Sequence, residues 1–146
     1  MKPEHLRKLL ARHELTGIYH LPSSGVEPLQ EAAESLGFAC FEVDFRESGD
    51  IAVALDELGR GLGFPDWYGA NLDALNDCLT DFSWREAPGY VVIISGADTV
   101  HALGTPFSQI NEVFSNAIQE WRRHEIPFWI FYDLRADGLA ALPTLA

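Results

Sequence analysis

The run Tyr90-Val91-Val92-Ile93-Ile94 carries no charged or amide side chain at any position. A strand with one wet face alternates apolar and polar residues, whereas a continuous apolar run suits a strand covered on both faces. Parallel strands meet that condition, because each pair is joined by a crossover that lays a helix on the sheet. Pro127-Phe128-Trp129-Ile130-Phe131-Tyr132 reads as the last strand.

The segments around these runs have the matching periodicities. Residues 3–13 place Leu6, Leu9 and Leu10 on one helical face, and Thr16–Leu21 forms a short strand. Ser24-Gly25-Val26-Glu27 fits a capping box and opens a helix with Leu29, Ala32, Ala33 and Leu36 inward, which Gly37 can end. Ala39–Phe45 alternates, with Ala39, Phe41, Val43 and Phe45 on one face and Cys40, Glu42 and Asp44 on the other. Asp50 caps a helix carrying Ile51, Ala54, Leu55 and Leu58, and Gly59, Gly61 and Gly63 loosen the chain after it. Residues 96–104 read as a loop. Thr105 and Pro106 are an N-cap and first helical residue, leading a helix with Phe107, Ile110, Phe114, Ala117, Ile118 and Trp121 facing in. From Asp133 onward the tail is rich in Ala and Leu, which predicts coil or a short helix. The expected fold is α/β: a small parallel sheet of about four strands flanked by helices, in two or three layers. One domain over residues 1–146 is expected, since a lone βα unit at the N-terminus cannot bury itself.

Composition limits the function. With 47% hydrophobic residues the chain is not a disordered segment. Acidic residues outnumber Lys and Arg 22 to 10, a net charge of −12. Four of the bases (Lys2, Arg7, Lys8, Arg12) fall within residues 1–14, so the rest is more acidic still. Such a body does not bind nucleic acid by counterion release, but it attracts a basic protein and speeds the encounter. The first ten residues are charged throughout, with no apolar core of a secretory signal, and no apolar run is long enough to span a membrane; the cytoplasm is the default location. Cys40 and Cys78 are expected as buried free thiols. His5, His13, His20, His101 and His124 have no metal-ligand spacing, so neither a metal nor a cofactor is expected. Ser23-Ser24-Gly25 lacks the glycines and lysine of a phosphate loop.

The densest local signal is Leu62-Gly63-Phe64-Pro65-Asp66-Trp67-Tyr68-Gly69-Ala70-Asn71-Leu72-Asp73-Ala74-Leu75-Asn76-Asp77-Cys78-Leu79-Thr80. Pro65 suits the start of a short helical turn, and Gly69 can end it in a left-handed conformation. Asn71 then caps a helix with Asp73 in its first turn, where the helix dipole favours an anion. At about 100° per residue, Leu72, Leu75, Cys78, Leu79 and Phe82 share one side, and Asp73, Asn76, Asp77 and Thr80 another. By spacing alone, such an acidic stripe is a solvated helix face. Trp67 and Tyr68 beside it add the aromatic character of a binding hot spot.

This run closely resembles the signature of the barstar family of bacterial intracellular ribonuclease inhibitors: a Phe-Pro step, an acidic residue, two aromatics, Gly, Asn-Leu-Asp-Ala-Leu, one variable residue, and Asp-Cys-Leu-Thr. A weaker likeness extends from about Ala39 to Tyr132, leaving residues 1–38 as an N-terminal βα extension packed on the domain. The resemblance implies a non-catalytic protein, monomeric when free, that plugs the active site of a small basic ribonuclease or related toxin. Asp77 matches the aspartate that stands in for an RNA phosphate, and Asp73 its support one turn earlier. Trp67 stands at an interface aromatic, Tyr68 beside it, Gly69 and Asn71 shape the loop and helix start, and Thr80 lines the same face. Two positions depart: Asn76 replaces a tryptophan of the prototype, and Asn116, on the later helix, an acidic contact residue.

Two other functions fit these residues. One is an interaction module of the same fold that binds another basic protein. The other is a small hydrolase using Asp73 and Asp77 as an acid–base pair. A concave pocket around both aspartates favours the hydrolase; a protruding, solvated helix favours the inhibitor.

Overall fold

The structure is a computed structural model and describes residues 3–134 and 140–141. Its elements in chain order are α1 (Pro3–Leu10), β1 (Ile18–His20), α2 (Val26–Ser35), β2 (Ala39–Asp44), α3 (Ile51–Leu62), α4 (Leu72–Leu79), β3 (Tyr90–Ser95), α5 (Ala97–His101), α6 (Thr105–Arg123), β4 (Phe128–Tyr132) and β5 (Ala140–Ala141). The sheet runs β2-β3-β4-β1-β5 and every pairing is parallel. Four strands make up its body, as the apolar runs require, and the two-residue β5 extends it beside β1.

Both faces of the sheet are covered. Tyr90, Val92 and Ile94 of β3, with Phe128, Ile130 and Tyr132 of β4, pack under α3, α4, α5 and α6. Val91, Ile93, Trp129 and Phe131 point the other way, onto α1 and α2. The alternation in β2 sorts as its sequence demands: Ala39, Val43 and Phe45 are buried on the α3–α6 side, and Glu42 is exposed. The N-terminal elements thus supply the cover of the second face. Two polar ties fix them there. Trp129 Nε1 donates to the Leu10 carbonyl at 3.0 Å. Arg122, near the end of α6, donates to the Thr16 carbonyl at 2.6 Å and to the His13 carbonyl at 3.3 Å.

Several local expectations shift. Residues 97–101 form a helix, not loop: Asp133, just after β4, accepts from the Gly96 and Ala97 amides at 2.8 and 3.1 Å and caps it from a distant part of the chain. Gly59 and Gly61 lie inside α3 instead of loosening it. A Cβ on Gly59 would come within 2.7 Å of the Tyr68 ring, and one on Gly61 within 2.6 Å of the Glu42 carbonyl oxygen. Both glycines buy close approach of α3 to its neighbours. The capping box before α2 does not form, because a 3-10 turn over Ser23–Gly25 already satisfies the amides of Gly25 and Val26. Gly104, at φ 77°, enters α6 in place of Thr105, a backbone angle that glycine reaches without strain. The coil or helix expected of the tail gives way to β5 at residues 140–141; the rest of that expectation lies outside the described residues.

Candidate functional site

The acidic helix is α4, and its local chemistry explains which side it buries and which it leaves to solvent. Asn71 Oδ1 accepts from the Ala74 amide at 2.8 Å, closing the first turn. Leu75, Cys78 and Leu79 are fully buried, while Asp73 and Asp77 are exposed and Asn76 is half-buried. Trp121 of α6 donates from Nε1 to the Leu79 carbonyl at 2.6 Å, which anchors the C-terminal end. Beyond it, Phe82 adopts φ 50° and is buried against Phe41 and Tyr90. The helix is therefore held at both ends, and its two aspartates face water one turn apart.

Thr80 ends the helix with its hydroxyl donating to the Asn76 carbonyl at 2.8 Å. It is half-buried at the end of the same face. Asn116 lies exposed on α6, on the side away from Phe114 and Ile118; among the described residues no hydrogen bond joins its side chain to α4. The structure thus gathers Asp73, Asn76, Asp77 and Thr80 on one helix, and leaves Asn116 on a different one.

The loop before α4 divides its two aromatics. Tyr68 points inward: its hydroxyl donates to the Leu55 carbonyl at 2.8 Å, its ring meets Phe64 edge-on at 4.8 Å, and Gly59 makes room for it. Burial raises its hydroxyl pKa well above the ordinary tyrosine value. Trp67 points outward, 58% exposed. Its ring sits edge-to-face against Trp84 at 6.0 Å. Trp84 is a contact that reading along the chain missed, because only the fold brings positions 67 and 84 together. The loop itself is a turn closed by the Tyr68 amide on the Pro65 carbonyl at 3.0 Å, not a helical turn. The left-handed residue is Ala70, at φ 51°, not Gly69.

Beside this face lies an open hollow of about 570 Å³ between α3 and α4, lined by Ile51, Ala52, Leu55, Ala70, Asn71, Leu72 and Asp73. Asp73 borders it, and Asp77 faces solvent further along the helix. Of the two thiols expected to be buried, Cys78 is buried and Cys40 is only half-buried, since β2 is the edge strand of the sheet. Both cysteines are free. Burial, then the nearby Asp77 and Asp81 charges, push Cys78 up to about 11; burial, then Glu42 and Glu34, push Cys40 up to about 11. Among the described residues, no group of three His, Cys, Asp or Glu side chains is placed to hold a metal, and no helix is long and apolar enough to cross a membrane.

The family model for Barstar (barnase inhibitor) matches residues 38–133. This chain belongs to the barstar family. The match spans β2 to the end of β4, so it contains the aromatic turn, α4 and α6, and leaves α1, β1 and α2 outside. A relative in Bacillus subtilis (strain 168), named "Putative ribonuclease inhibitor YrdF", is 38% identical over 78 residues, covering 53% of this barstar-family chain and 84% of that protein. Among solved structures, the Aeropyrum pernix ORC2 protein, in ADPNP-ADP complexes, superposes with a TM-score of 0.51 over 95% of this chain at 15% identity. The chain spans 40% of that longer protein, and the likeness is one of fold alone.

Proposed function

We propose that this barstar-family protein inhibits a small basic ribonuclease by inserting α4 and the turn before it into the enzyme's active site. The observation that carries this reading is the pair of solvent-facing aspartates on a helix buried along its other side and anchored at both ends. A rigid, exposed carboxylate at Asp77 suits the role of an RNA phosphate among basic groups, since charge-assisted and bidentate Arg–carboxylate bonds are strong. Asp73 supports it one turn earlier, and Trp67 offers the aromatic contact. Tyr68, Gly69 and Asn71 hold the turn and helix start, Asn76 and Thr80 flank the aspartates, and Asn116 extends the surface onto α6. The protein acts without catalysis, in the cytoplasm, as a monomer when free, with residues 1–38 forming part of a single domain.

Two observations weigh on the alternatives. An acid–base pair needs both carboxylates at one concave site; Asp73 borders the hollow while Asp77 is exposed and does not line it, which disfavours a hydrolase. Asn76 and Asn116, in place of a tryptophan and an acid of the family prototype, favour a second reading in which the same surface takes a different basic protein.

The test is an RNA-cleavage assay with barnase as the enzyme, titrated with wild type and with Asp77→Ala. Stoichiometric inhibition by wild type is expected. Truncating one partner of a buried charge pair costs roughly 2–5 kcal/mol, so Asp77→Ala weakens inhibition by about thirtyfold to several-thousand-fold. Failure of folded wild type to inhibit would turn the assignment to the second reading.

A further inference from the structure

We propose that the hollow between α3 and α4 is a docking pocket for an arginine-bearing loop of the basic partner, extending the contact surface from α4 onto the first turns of α3. This inference rests on the inhibitor reading above. The hollow has an apolar floor, made by Ile51, Leu55, Ala70 and Leu72, and a carboxylate at its border, Asp73. It shares Leu72 and Asp73 with the aspartate-bearing helix and Asn71 with its cap, so it adjoins the surface that a partner on α4 would contact.

Charge selects the occupant. Asp50 caps α3 immediately before Ile51, and its Oδ1 accepts from the Val53 amide. Asp56 follows Ala52 by one helical turn and is exposed. The base on α3, Arg60, is engaged with Glu57 on the same helix, and α4 carries none. An apolar floor bordered by the Asp73 carboxylate, with no base on α4 and Arg60 already paired, fits a side chain that has an apolar stem and a cationic head. Arginine has both, and lays its methylenes on apolar surface while its guanidinium stays at the polar border. A small apolar ligand is a poorer fit, because such ligands need a concavity that encloses most of their surface, and this hollow is open to solvent. Ala52 sets the access: its side chain is exposed and small, on the rim of the hollow.

The experiment measures the affinity of the full-length protein for barnase by titration calorimetry and stopped-flow binding, with Ala52→Trp, Ala52→Arg and Asp77→Ala beside wild type. Thermal melts establish that each variant is folded. Ala52→Trp fills the hollow, and is expected to raise Kd at least tenfold, mainly through faster dissociation. Ala52→Arg, whose flexible chain an exposed helix position accepts, puts a cation where the partner's would sit and is expected to cause a similar loss. If Ala52→Trp and Ala52→Arg both bind within twofold of wild type while Asp77→Ala is severely weakened, the hollow is not a contact and the inhibitor reading stands alone. If folded wild type does not bind barnase, the inhibitor reading fails and the docking pocket falls with it.

Discussion

Tyr68 shows how a single residue divides the work of the site. It lies next to Trp67 in sequence, yet the two rings have opposite duties: one is spent on holding the turn, the other left for contact. The Tyr68 hydroxyl ties the turn to α3 through the Leu55 carbonyl, and its ring fills the space that Gly59 leaves open. Tyr68→Phe keeps the ring and removes the tie, while the Leu55 carbonyl keeps its place within α3. A loss of about 0.5–1.5 kcal/mol is expected, read as a lower denaturant midpoint at unchanged slope. If Tyr68 holds the turn and does not itself touch the partner, barnase association at saturating folded protein changes by less than threefold. A loss comparable to that of Asp77→Ala would instead make the hydroxyl a contact. Which aromatic faces in was not legible in the local pattern, because Trp67-Tyr68 is symmetric to any periodicity argument. The decision is made by Gly59, nine positions earlier, and by the Leu55 carbonyl.

At the scale of elements, α4 was readable in advance because everything that defines it is local. Its cap is Asn71, its buried stripe repeats at three and four residues, and its aspartates are one turn apart. The short α5 was not readable, because its N-terminal amides are satisfied by Asp133, beyond α6 and β4. The same contrast holds for the surface: the aspartate face follows from one segment, while the hollow and the Trp67–Trp84 pair need two segments brought together. Because α4 is only eight residues long, its first turn depends heavily on the Asn71 cap. Replacing an N-cap Asn by Ala costs roughly 0.5–2 kcal/mol. Asn71→Ala is therefore expected to lower global stability by about 1 kcal/mol, and to speed hydrogen exchange at Asp73, Ala74 and Leu75 more than in β3. Asn71→Asp, which retains an acceptor oxygen, should restore slow exchange at those amides. Equal exchange in the Ala variant and wild type would mean that packing of Leu75 and Leu79 alone fixes the helix.

For the molecule as a whole, residues 1–38 decide whether the sheet has one covered face or two. The family match begins at residue 38, yet the part inside it carries Val91, Ile93, Trp129 and Phe131, which are buried by α1 and α2. The doubly apolar strands made the need for a second cover legible from the sequence. Strand order was not legible, because β1 joins the sheet next to β4, the described strand before β5, and nothing in a local pattern encodes that pairing. Each large apolar side chain contributes roughly 1.5–3 kcal/mol on full burial. Uncovering four of them removes an amount comparable with the roughly 5–15 kcal/mol net stability of a typical domain. Deleting residues 1–38 also frees Arg122, which holds the His13 and Thr16 carbonyls. The truncated chain is thus expected to lose cooperative thermal unfolding, to bind the dye ANS, and to self-associate in sedimentation. Arg122→Ala in the full chain is the milder case, expected to lower stability by about 1.5–3 kcal/mol, the worth of hydrogen bonds from a charged group, while leaving the α4 face in place. A monomeric truncated chain that melts cooperatively near the wild-type temperature would show instead that residues 39–146 carry a self-sufficient core, and that the N-terminal unit is a layer added to a finished domain.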